Sequence, residues 1–111
     1  MDKDERLKKV KEILPKVKEI LSNIYGDRLL DVFLYGSFTR NSFTEESDID
    51  IALVLKGEVN RIKEIKKIND FLYDLMLETG ELISVYPVSE EEYKNSKWPL
   101  YYHIKTEGIR I

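Results

Sequence analysis

The segment Asp48-Ile49-Asp50-Ile51-Ala52-Leu53-Val54-Leu55 constrains this chain more than any other. A β-strand sends successive side chains to opposite faces. Read as a strand, it puts Asp48 and Asp50 on one face. Ile49, Ile51, Leu53 and Leu55 fall on the other. The apolar face demands a covering layer, whereas the face with two carboxylates needs contact with solvent or with a cation. Two ionised carboxylates side by side repel, and a hard divalent cation with oxygen ligands is the usual compensation. Upstream, Gly36-Ser37 closes an apolar run and precedes a short helical turn over 37–41. Such a pair offers a phosphate close backbone approach, N–H groups and a hydroxyl. A cation site beside a phosphate site implies nucleotide chemistry.

The remaining pattern alternates helices with strands. Residues 4–25 carry apolar positions at Leu7, Val10, Ile13 or Leu14, Val17, Ile20 or Leu21, and Ile24, the stripe of an amphipathic helix. Pro15 either kinks that helix or separates two, and Gly26 stops it. Arg28–Tyr35 reads as a first strand and Asp48–Leu55 as a second. Residues 59–78 form a helix on Ile62, Ile65, Ile68 or Asn69, Leu72, Leu75 and Met76, ended by Gly80. Glu81–Val88 reads as a third strand. Ser89 with Glu92 is a capping box that opens a helix, and Trp98-Pro99 breaks it. A last helix over 100–107 stops at Gly108, before a short terminal strand over 109–111. The order predicts an α/β (α+β) sandwich. A small mixed β-sheet carries helices packed on one face, and its other face is an open active cleft.

The residues Tyr35-Gly36-Ser37, then after ten intervening residues Asp48-Ile49-Asp50-Ile51, resemble the signature of the DNA polymerase beta-like nucleotidyltransferase superfamily. Gly36-Ser37-Phe38-Thr39-Arg40-Asn41 followed by Ser47-Asp48-Ile49-Asp50 is most similar to its minimal nucleotidyltransferase (MNT) branch. Thr39 stands for the usual Ala and Asn41 for the usual Gly. The resemblance covers nearly the whole chain. It implies the nucleotidyltransferase fold, with Asp48 and Asp50 as catalytic and metal-binding residues for Mg²⁺ or Mn²⁺. It implies that Gly36, Ser37 and Arg40 meet the phosphates of a nucleoside triphosphate, ATP foremost. Arg40 has a second reading, an ion pair with Glu45 or Glu46, and Ser37 a second reading as a helix N-cap. Minimal domains of this kind are often encoded beside a helical HEPN-type protein, as the antitoxin of a toxin–antitoxin pair. Some transfer AMP to a tyrosine of that toxin, and the resemblance implies the same partner here.

Full members of the family carry a third acid on a later strand. By register that position falls on Ser84, which is neither a base nor a good metal ligand. Glu81 is the nearest acid and the tentative third acid. Its offset of three residues turns it to the opposite face unless the strand bulges. Two rival readings follow. One is a catalytically degenerate domain that binds nucleotide or partner without turnover. The other is a subunit that modifies a small molecule such as an aminoglycoside, with a second chain completing the site.

Composition narrows the partners. The 111 residues suit one domain over 1–111. A net charge of −3 argues against strong nonspecific binding of nucleic acid. With no cysteine there is no disulfide framework, thiolate zinc site or cysteine nucleophile. A charged N-terminus and the lack of a long apolar run point away from the membrane and to the cytoplasm. His103 is the only histidine, too few for a His-rich metal site. The basic stretch over 56–67 and the lysines of residues 3–18 read as solvated helix faces. Tyr93, Trp98, Tyr101 and Tyr102 are either core or an exposed patch for a partner. An edge strand in so small a sheet makes a homodimer an open expectation.

Overall fold

The computed structural model describes residues 2–40, 42–95, 97 and 99–111. Asn41 and Trp98, both singled out above, lie outside the described residues. Helix α1 spans Lys3–Tyr25 and begins on Asp2, whose carboxylate accepts the Glu5 N–H at 2.8 Å. It continues through Pro15 as one helix. Proline removes one N–H, and the bond lost is that to the carbonyl of exposed Lys11, which water can satisfy. Ile13, Leu14, Val17 and Leu21 are buried on both sides of it and hold the axis in place.

Strand β1 (Leu29–Tyr35) pairs antiparallel with β2 (Ile49–Leu55). Helix α2 (Arg61–Thr79) then crosses over to β3 (Ile83–Ser89), which runs parallel to β2. Two short helices follow, α3 (Glu90–Asn95) and α4 (Pro99–Glu107), and then β4 (Ile109–Arg110), antiparallel to β1. The sheet order is β3-β2-β1-β4, so it is mixed, as the alternating pattern predicted. The Ser89–Glu92 box forms: the Glu92 N–H donates to Ser89 Oγ at 3.1 Å and the Ser89 hydroxyl to Glu92 at 3.4 Å.

The long helices α1 and α2 cover one face of the sheet. Val10, Val17 and Leu21 of α1 and Ile68 and Leu72 of α2 meet Ile49, Ile51, Leu53 and Leu55 in the main core. Tyr25 and Glu64 tie the two helices together, the phenol donating to Glu64 Oε1 at 2.9 Å. The opposite face was expected to stay open. Instead Tyr101 and Ile104 of α4 pack on Phe33, Ala52, Val54 and Val88 in a second, smaller core. The reason lies in β2 itself. From Ile51 to Leu55 every residue is apolar, so this part of the strand needs cover on both faces. Only the end of the sheet that carries Asp50 is left uncovered by α4. Among the described residues no helix is long and apolar enough to cross a membrane.

Candidate active site

The uncovered end gathers the last residue of β1, the first residues of β2 and β3, and the loop between β1 and β2. Asp50 sits centrally. Its Cα partner is Tyr35 on one side and Ser84 on the other. Asp48 directly precedes β2 and is exposed, while Asp50 is half-buried. Burial pushes the Asp50 carboxyl above the usual range, and the negative charge of Asp48 pushes it further. The positive charge of Arg40 offsets part of that rise. Among the described residues neither aspartate has a basic side chain within ion-pair distance. Two carboxylates that sense each other and lack a cation of their own fit the demand of a divalent metal.

Gly36 makes this arrangement possible. It follows β1 at φ +79°, and a Cβ there would lie 2.4 Å from Asp50 Oδ2. Glycine is required twice over, by the left-handed backbone and by the approach of the carboxylate. Gly36–Phe38 form a short 3-10 turn in which the Gly36 carbonyl accepts from both the N–H and the hydroxyl of Thr39. Ser37 lies inside that turn rather than at its cap, and no side chain caps it. Among the described residues the Ser37 hydroxyl has no hydrogen-bond partner in the protein. Tyr35 flanks Asp50, and its phenol is pushed up to about 12 by burial first, then by the charges of Asp50 and Tyr86. It therefore stays protonated at neutral pH beside the carboxylate.

Arg40 is near enough to Asp50 to influence its charge, yet it pairs with Glu107 of α4 at 3.4 Å and not with Glu45 or Glu46. His103 also faces Glu107, at 3.7 Å. Ser47 caps the loop locally, accepting the Thr44 N–H at 2.8 Å.

Glu81 does not join the aspartates. It is 7% exposed, just before β3, with Oε1 at 2.9 Å from Arg6 and Oε2 at 3.4 Å from Lys9, both on α1. The tentative third acid is therefore on the helix-covered side, as a regular register requires. Ser84, exposed and paired in register with Asp50, holds the place beside the aspartates. Among the described residues no group of three or more His, Cys, Asp or Glu side chains gathers for a metal.

The Arg6–Glu81 pair has its own task. Arg6 also donates to the Ser47 carbonyl at 2.5 Å and to the Thr44 carbonyl. Glu81 thus steadies an arginine that holds the loop leading into Asp48. Neither Arg6 nor Glu107 carries a sequence signal for these roles, because each acts on a segment roughly forty or more residues away.

Comparison with known proteins identifies the family and the fold. The family described as "Nucleotidyltransferase domain" matches residues 8–108. "Putative protein adenylyltransferase MJ0604" of Methanocaldococcus jannaschii is 34% identical over 89 residues, covering 79% of this chain and 83% of the relative. Among solved structures, a "putative nucleotidyltransferase from Sulfolobus solfataricus" superposes with a TM-score of 0.59 at 25% identity. That match covers 94% of this chain and 77% of the other. A chain from a crystal structure of "the toxin-antitoxin MntA-HpeT" shares the fold, with a TM-score of 0.60 at 18% identity over 87% of this chain and 69% of its own length.

Proposed function

Because this chain belongs to the nucleotidyltransferase domain family, we propose that it moves an NMP, AMP from ATP, onto a hydroxyl of a partner protein. The observation that carries the reading is the pair Asp48 and Asp50, without an ion-paired basic side chain among the described residues and with Asp50 held against Gly36. Asp48 and Asp50 would hold Mg²⁺ or Mn²⁺, which supplies charge neutralisation on the phosphates when bound. Ser37 offers its hydroxyl and N–H to the phosphates. Arg40 exchanges Glu107 for a phosphate oxygen, a stronger partner for its fork. The acceptor oxygen forms a bond to the α-phosphorus as the bond to the bridging oxygen breaks, and pyrophosphate leaves. Positioning and electrostatics carry most of such a reaction. The acceptor's proton passes to water or to a base of the partner, since Ser84 cannot take it.

The names of the relatives support adenylyl transfer to protein. The toxin–antitoxin neighbour supports a helical HEPN-type toxin as the acceptor, with this chain as its antitoxin in the cytoplasm. A second reading, a module that binds nucleotide or partner without turnover, is favoured by Ser84 alone.

Thermal unfolding with and without Mg-ATP tests the site, for the wild type and for Asp48→Asn/Asp50→Asn. Ligand at about 100 times Kd stabilises by about 2.7 kcal/mol, a Tm rise on the order of 10 °C for a domain of this size. A metal-dependent rise that the double variant loses supports the nucleotide site. Mass spectrometry of a candidate HEPN-type partner, after incubation with Mg-ATP, then reads transfer as the gain of one AMP. A nucleotide-dependent Tm rise with no transfer to that partner favours the binding module.

A further inference from the structure

The crossover geometry carries α2 away from the end of β2 and returns its C-terminal turns to the Asp50 end of the sheet, beside the edge strand β3. That flank is apolar and uncovered. Tyr73 is 59% exposed and Leu77 66%. Tyr73 and Leu77 are one helical turn apart, and Tyr73, Met76 and Ile83 line a groove of about 510 Å³ with Asn69 and Asp70. Ile83 is the Cα partner of Ile49, so the groove ends beside the residue between Asp48 and Asp50.

The charge around it is one-sided. Residues 68–93 contain seven acids and no Lys, Arg or His, although the whole chain carries only −3. Glu81, Glu90 and Glu92 have basic partners. Asp70, Asp74 and Glu78, on the exposed side of α2, have none among the described residues. An apolar centre with this rim complements a protein surface with an apolar centre and a Lys/Arg rim.

The same features exclude other occupants. Nucleic acid binding is driven by phosphate neutralisation, which an acidic face opposes. A second copy would set Asp70, Asp74 and Glu78 near their own counterparts in an isologous contact. Pairing of a strand along the β3 edge is blunted. Pro87 has no N–H, its carbonyl accepts Arg61 Nε at 3.0 Å, and the Ile83 N–H is turned to Met76 Sδ at 3.4 Å.

We propose that the α2 flank formed by Tyr73, Met76 and Leu77 is the docking surface for a basic-rimmed apolar face of the protein that bears the acceptor hydroxyl. Docking there brings the acceptor to the Asp50–Ser84 end of the sheet. The proposal rests on the transfer reading above, but its surface can be tested apart from it.

The probe is a designed amphipathic helical peptide of leucine and lysine, with a leucine–glutamate counterpart. The expected result is that the lysine peptide shifts the amide NMR signals of residues 69–83 and that the glutamate peptide does not. Tyr73→Lys/Leu77→Lys should weaken the lysine peptide at least about tenfold and leave the Mg-ATP-dependent Tm rise unchanged. Equal binding of both peptides, shifts elsewhere, or undiminished binding by the variant would overturn the surface. Sedimentation that shows a dimer lost in the variant would also overturn it, by assigning the face to a second copy. With the HEPN-type protein as acceptor, the variant should lose AMP transfer at unchanged ATP affinity, and undiminished transfer refutes the docking role. If Mg-ATP gives no Tm rise in the wild type while the lysine peptide still binds as expected, the transfer reading fails and the surface stands.

Discussion

Gly36 has no space for a side chain, because Asp50 occupies it. Gly36→Ala must move the carboxylate or the turn and also take a positive φ. We expect Gly36→Ala to fold less stably by about 1 kcal/mol or more and to lose the Mg-ATP-dependent Tm rise. A preserved rise would show that Asp50 tolerates displacement. Asp50 itself is a residue whose task opposes stability. Its carboxyl titrates higher in the fold than in the unfolded chain, through burial and Asp48. The folded state therefore binds that proton more readily. The cost of ionisation is absent below the ordinary carboxylate range and complete above the raised value, so this residue destabilises the metal-free fold as pH rises through that window. Asp50→Asn should raise the Tm of the metal-free protein at neutral pH, and the gain should vanish in acid. An unchanged or lowered Tm at neutral pH contradicts that account.

At the scale of elements, the site depends on how segments are pinned. The loop before β2 is held by Arg6 of α1, and Arg6 by Glu81. Glu81→Gln should cost about 1–3 kcal/mol, seen as a lower Tm and faster amide exchange over residues 42–48. The Mg-ATP-dependent rise should survive. If Glu81→Gln instead abolished that rise at unchanged Tm, the carboxylate would belong with the aspartates after all. The parallel register of β2 and β3 sets Ser84 opposite Asp50. Under the proposed function, Ser84→Asp supplies the missing base and should speed transfer, general-base help being worth about 10²–10⁴-fold. A slower variant in a single-turnover assay would argue against that place for the base. Period-two alternation made both strands legible in the sequence, and the offset of three made the orientation of Glu81 legible too. The ion pairs that α1 and α4 bring to the loop were not, because no local periodicity records which distant helix will lie against it.

At the scale of the molecule, the chain builds a core on each face of one sheet and leaves one end bare. The second core is small, so each of its residues matters. Ile104 is 1% exposed between α4 and the sheet. Ile104→Ala should cost about 2–5 kcal/mol, a Tm loss on the order of 10 °C, and leave the ATP-dependent shift detectable at low temperature. A Tm unchanged within error would mean that α4 does not stabilise the fold. The sequence by itself determined the element order and the mixed sheet, because side-chain periods of two and 3.6 are local properties of the backbone. It also carried the glycine-serine and aspartate spacing on which the resemblance to the family rests. Only the tertiary structure decided that α4 closes much of the second face, that Arg40 turns to Glu107, that Arg6 holds the loop, and that an acidic apolar flank borders the aspartates. These are contacts between segments far apart in the chain. Packing sets them, through which faces must be buried and which charges can still find a partner.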